Sequence, residues 1–164
     1  PLVVCPNGFV DFKDKYSEEE IISFTSLINS PSYQNSRSGN TDYYMLAKIL
    51  EHAGAPKLNI GWTYLEASWE VENKRSLKKY LQYLNLAIDN FNAAVDTGDR
   101  EVGFTYRLLL VELNRLKGDF ESAKLKLKEL EANLTPVGYE KVVVNYEKEL
   151  IDGRNSKPQS LPKN

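Results

Sequence analysis

The chain of 164 residues has one cysteine and one histidine. A lone cysteine excludes an internal disulfide, so nothing points to an oxidising compartment and a reducing cytosol is the expected setting. One cysteine and one histidine cannot supply the four ligands of a structural zinc, and no metal or other cofactor is expected. No sign of charge dominates either. Twenty-one Lys and Arg stand against 23 Asp and Glu, a net charge of −2, which lacks the basic footprint of a nucleic-acid binder. No apolar run approaches the roughly 20 residues needed to cross a bilayer. No catalytic constellation is visible, and no catalytic residue is nominated.

What is present is helical periodicity. Residues 1–16 are mixed, with Val3, Val4, Phe9, Val10 and Phe12 around a Pro6-Asn7-Gly8 turn, and read as an extended or looped segment. Ser17 and Glu20 form a capping box, in which hydroxyl and carboxylate each satisfy an orphan backbone N–H. Ile21, Ile22, Phe24 and Ile28 then recur at helical spacing up to Pro31. Residues 30–40, rich in Ser, Asn and Gly, read as a loop. A second helix is expected from about Thr41 to Ala53, closed by Gly54 and Pro56.

Leu58, Trp62, Leu65 and Trp69 make an apolar stripe on a third helix. A fourth starts at Ser76, carries Leu77, Leu81, Leu84, Ile88, Phe91 and Val95, and ends at Gly98. A fifth buries Val102, Tyr106, Leu109, Leu113 and Leu116. It stops at Gly118 and passes through an Asp119 cap into Phe120, Ala123, Leu127, Leu130 and Leu134; so short a link folds the two helices back antiparallel. A last helix is read with Tyr139, Val142, Val143, Tyr146 and Leu150 buried and Gly153 beyond it. The expected fold is all-α: about seven helices over residues 17–152, stacked as antiparallel hairpins. Residues 153–164, with Pro158, Pro162 and no period, read as a tail or linker.

One string is copied. Ile60-Gly61-Trp62-Thr63-Tyr64 returns as Val102-Gly103-Phe104-Thr105-Tyr106, forty-two residues on. Self-similarity at such a period marks a stacked helical array, which usually presents a surface to another macromolecule. A helix-interior glycine costs about 1 kcal/mol relative to alanine, so two at equivalent places suggest a close helix approach that needs the missing Cβ. Leu113 to Ala123, followed by Pro136, resembles the tetratricopeptide repeat. Gly118, Phe120 and Ala123 fall on its turn glycine, aromatic and small-residue positions. Arg107 stands where the repeat has a large aromatic, and the period exceeds the usual length of about 34. The resemblance covers roughly residues 57–151 and implies stacked helix pairs with a concave groove.

More narrowly, Val4-Cys5-Pro6-Asn7-Gly8-Phe9 followed by aromatic-rich helices resembles a bacterial family of unknown function that joins a Cys-Pro-x-Cys-Gly zinc knuckle to tetratricopeptide-like helices. The second cysteine is missing here. That resemblance implies the same fold and a bacterial cytosol, and no reaction.

Each chemical candidate has a plainer reading. Cys5 is a reactive thiol or, more plainly, an inert cysteine in a short hairpin. His52 is a metal ligand or relay or, more plainly, a helix-end residue where an imidazolium would suit the dipole. Glu66, Glu70 and Glu112 are possible acid–base groups, or a solvated or partner-facing surface. Trp62, Trp69, Tyr64, Tyr80, Tyr106 and Phe104 are a stacking platform or, at helical spacing, core. Lys74, Arg75, Lys78 and Lys79 are best read as a solvated turn.

The leading expectation is a non-catalytic protein-interaction module. Under the resemblance, its groove is lined by Thr63, Glu66, Glu70 and Asn73 from one repeat and Thr105, Leu108, Glu112 and Arg115 from the next, and takes a neutral or basic peptide or helix. The alternative is a small-ligand-binding domain or small enzyme with a pocket beside Leu2 to Phe12.

Overall fold

A four-residue turn, Cys5-Pro6-Asn7-Gly8, opens the fold. Gly8 sits at φ +91°, a left-handed conformation that glycine adopts without strain, and its N–H donates to Cys5 O at 2.8 Å. The turn joins strands β1 (Val3–Val4) and β2 (Val10–Asp11), which pair antiparallel with Val4 opposite Val10. This computed structural model describes residues 2–72, 76–94 and 100–162.

Eight helices follow among the described residues: α1 (Glu18–Asn29), α2 (Pro31–Arg37), α3 (Asp42–His52), α4 (Lys57–Glu72), α5 (Leu77–Ala94), α6 (Arg100–Leu116), α7 (Phe120–Asn133) and α8 (Tyr139–Asp152). The fold is all-α apart from the hairpin, and none of these helices is long and apolar enough to cross a membrane. The chain divides into two units, Pro1–Asn90 and Phe91–Asn164.

In the first unit the capping box is formed as expected, Ser17 accepting from Glu20 N–H and Glu20 from Ser17 N–H. The expected loop over 30–40 is instead largely helix α2. Ser30 closes α1 and, with its hydroxyl accepting from Tyr33 N–H and Pro31 at the first helical position, starts α2 at once. Proline stops one helix and begins another. Tyr33 is buried; its hydroxyl donates to Gly8 O at 2.8 Å, and burial pushes its pKa up to about 12.

Phe9, Phe12, Tyr16 and Phe24 meet edge to face or tilted, with ring centroids 5.5–6.4 Å apart. They fasten the hairpin over a core of Val10, Phe24, Ile28, Met45, Leu46 and Ile49. The Thr41 hydroxyl accepts from Tyr44 N–H to cap α3, and Gly54 follows the helix at φ +66°, closing it as expected. α3 packs on α4, with Tyr44 stacked on Tyr83 of α5 at 5.0 Å.

The expected stripe on α4 is only partly right. Ile60, Tyr64, Leu65, Ala67 and Val71 are buried, while Trp62 and Trp69 remain 38% and 48% exposed. Ala67 and Ser68 are both fully buried, so the inward face of α4 includes these small residues and leaves the two indoles partly outside it. The expectation that the aromatics are core therefore holds for Tyr64 and Phe104 and fails for these two. Val95 and Gly98 lie outside the described residues.

In the second unit α6 and α7 pack along their length across the expected turn. Gly118 is at φ +84°, and Asp119 accepts from Ser122 N–H. Their core holds Phe104, Val111, Phe120, Ala123, Leu127 and Leu130, joined by Val144 and Ile151 of α8. α8 is turned by about one position from the expected face: Val143, Val144, Glu147, Leu150 and Ile151 are buried and Val142 is exposed. Residues 153–162, read as a tail, are partly tied down. Asn155 N–H donates to Leu150 O, and the Tyr139 hydroxyl donates to Pro162 O.

Gly103 is buried, yet a Cβ there would meet only Leu134 Cδ1, at 3.9 Å, an ordinary contact. Among the described residues no close approach to this glycine is found, so its helix cost stands uncompensated there. Gly103→Ala should raise stability by about 0.5–1 kcal/mol, read as a higher urea midpoint at unchanged slope; a lowered midpoint would restore the close-approach reading.

Candidate functional site

The eight residues expected to line a groove have unequal fates. On α4, Thr63 is buried and its hydroxyl donates to Asn59 O at 2.8 Å, the usual back-bond of a helical threonine. Glu66 and Glu70 are half-buried on one side of the helix. Burial holds the Glu66 carboxyl above the ordinary carboxylate range. Asn73, like Lys74 and Arg75 of the basic turn, lies outside the described residues.

On α6, Thr105 is exposed and its hydroxyl donates to Glu101 O, while Leu108 packs against the second unit's core. Glu112 is half-buried. Desolvation, reinforced by the Glu147 charge and opposed by Arg115, raises its carboxyl.

Arg115 corrects the expectation outright, because its side chain is fully buried. Nε donates to Glu147 Oε2 at 2.9 Å, and Nη1 donates to Asn155 O at 2.8 Å and Lys157 O at 2.9 Å. Glu112 Oε1 stands 3.8 Å from Nη2, too far for a hydrogen bond, and Nη2 has no bond at all. Glu147 is nearly as buried as its partner. Arg115 thus joins α6, α8 and the segment after α8, and faces no groove. The pair was missed because Glu147 reads as an ordinary charged helix residue. The available signal was its place three or four residues from Val143, Val144, Leu150 and Ile151, in the middle of an apolar stripe.

Cys5 is half-buried in the hairpin turn and borders an apolar recess of about 180 Å3 with Phe9, Tyr16, Phe24 and Ile28. His52 ends α3, exposed, and shares a 2.7 Å hydrogen bond with Ser23 Oγ. Ser23 lies inside α1 (Glu18–Asn29). Among the described residues no three His, Cys, Asp or Glu side chains gather into a metal-binding group. A second, polar cleft of about 400 Å3 lies where the hairpin meets α2 and the start of α3.

No known protein family matches the chain, and no curated protein or solved structure matches it.

Removing one member of a buried ion pair strands the other, at a cost of about 3–5 kcal/mol. Glu147→Ala should therefore lose that much in urea denaturation, whereas Arg115→Met with Glu147→Leu should recover part of it, the Asn155 and Lys157 carbonyls still lacking their donor. Additive losses in the double variant would show that the pair is not coupled. Glu112 generates a pH prediction. Its folded pKa lies above the unfolded value of 4.5, so between the two the folded state holds a proton that the unfolded state has released, and stability falls as pH rises through that window. Glu112→Gln removes this loss: it should be the more stable protein at about pH 7, with the advantage gone below pH 4.5. An advantage constant with pH would refute the raised value.

Proposed function

We propose that the chain is a non-catalytic interaction module that recognises a peptide or helix carrying basic and apolar residues through the outward side of α4. The observation that carries this reading is the exposure of Trp62 and Trp69, seven residues and so two turns apart on one helix face, with Glu66 between them. Tryptophan and its neighbours in size dominate binding energy at protein interfaces. Its ring face also attracts a lysine or arginine cation. Glu66 adds a carboxyl already disfavoured in its charged form by desolvation, which an incoming cation would stabilise. The tetratricopeptide-like turn at Gly118-Asp119 and the repeated string support the same class of role, and the lone cysteine suits a reducing compartment.

Trp62 and Trp69 are the chain's two tryptophans, so all of its indole emission reports on this face. Titration with short lysine- and leucine-containing helical peptides should shift that emission saturably, whereas glutamate-rich peptides of the same length should not. Glu66→Gln should weaken the basic series by about tenfold, equivalent to about 1.4 kcal/mol. Equal responses to both series, or none, would remove the proposal.

A further inference from the structure

The polar cleft beside the hairpin contains a cation held only by neutral groups. Arg37 Nη1 donates to Asn7 O at 3.0 Å and Gln34 Oε1 at 2.9 Å, and Nη2 donates to Pro6 O at 3.2 Å. These bonds use three of its five N–H donors. The Nε–H and one Nη2 hydrogen remain, and no carboxylate among the described residues pairs with it. Gly8 makes this placement possible: a Cβ there would lie 2.7 Å from Arg37 Cδ and Cζ. The guanidinium lies against the turn where a larger residue in place of Gly8 would push it aside.

The other polar groups of the cleft sort into committed and available. Gln34 Nε2 donates to Asn7 O and Ile28 O, and Asn40 is held by Ser36 O and the Tyr83 hydroxyl. The Ser38 hydroxyl makes no hydrogen bond among the described residues, and Asp42, first residue of α3, pairs with no cation there. Val4 and Met45 supply apolar wall. One cleft is therefore lined by a positioned cation with spare donors, a hydroxyl, a carboxylate and an apolar surface. Its volume of about 400 Å3 falls within the size range of small-molecule sites.

We propose that this cleft binds a small zwitterion of the amino-acid class, its carboxylate on Arg37 and Ser38, its ammonium on Asp42 and its aliphatic side chain against Val4 and Met45. Asp42 disfavours a plain dianion such as phosphate, and Arg37 disfavours a plain amine. The residues involved are not those of the α4 face, so either proposal can fail while the other stands.

Isothermal titration of the full chain tests it with L-leucine, with 4-methylpentanoate, which lacks the ammonium, with isoamylamine, which lacks the carboxylate, and with inorganic phosphate. Leucine should saturate at one site per chain and bind at least about tenfold tighter than each of the others. Asp42→Asn should bring leucine down to the affinity of 4-methylpentanoate, and Ser38→Ala should weaken both carboxylates. Arg37→Gln should abolish binding where circular dichroism shows it folded; if it unfolds, the Asp42→Asn and Ser38→Ala results decide alone. No heat with leucine, equal affinities across the four probes, phosphate binding as tightly as leucine, or Asp42→Asn without effect on leucine would overturn the assignment.

Discussion

A guanidinium donating to main-chain carbonyls holds each non-helical end of this chain against helices. Segments outside regular structure must find partners for their backbone polar groups, and a carbonyl turned away from water without one is costly. In the first unit the partners come from α2: Arg37 takes the carbonyls of Pro6 and Asn7, Gln34 takes Asn7 again, and Tyr33 takes Gly8. In the second, Arg115 takes those of Asn155 and Lys157. Arginine suits this work because its planar fork offers several donors in fixed directions and stays charged.

The two arginines are solvated differently, and their chemistry differs with it. Arg115 is sealed from water and its charge is met by Glu147, so the arrangement is closed and structural. A buried pair of this kind is poor ground for claiming stability, since apolar residues of the same volume often do as well. It does tie three parts together, because one guanidinium on α6 donates to Glu147 of α8 and to the Asn155 and Lys157 carbonyls beyond it. The unbonded Nη2 shows that its donors are not all satisfied. Arg37 is only partly covered, and its acceptors are carbonyl and amide oxygens, with no carboxylate bonded to it among the described residues. A cation organised in this way retains most of its capacity to attract an anion.

Local rules made much of the fold legible. The Ser17–Glu20 box, Gly54 and the Gly118-Asp119 turn are all decided within a few residues, and all stand where the sequence places them. Failures arise where a residue serves two elements or where tertiary packing selects the face. Ser30-Pro31 ends α1 and starts α2, so reading proline as a stop alone turned a helix into a loop. Periodicity defines a stripe on α8 only to within about one residue, and Val142 and Val144 compete for the same place; contact with α7 and α6 settles it. The groove residues suffered from the same uncertainty, because an assumed alignment of helix faces put Arg115 outward when its charge has a buried partner 32 positions further along the chain.

The repeated string makes the limit of pattern reading concrete. Both copies lie in the first turns of a helix, α4 and α6, and both glycines are buried. Yet Trp62 is exposed where Phe104 is covered, and Tyr64 is fully buried where Tyr106 is only half so. Identical spacing has therefore preserved the way a helix begins and not the environment it enters. A helix start depends on its own few residues, whereas burial depends on whichever elements the surrounding chain supplies. Function written on a helix surface follows the second of these. For that reason the exposed indoles of α4 are informative in a way that their repeat-mates are not: the same string satisfied its aromatic by burial in α6 and left it outward in α4.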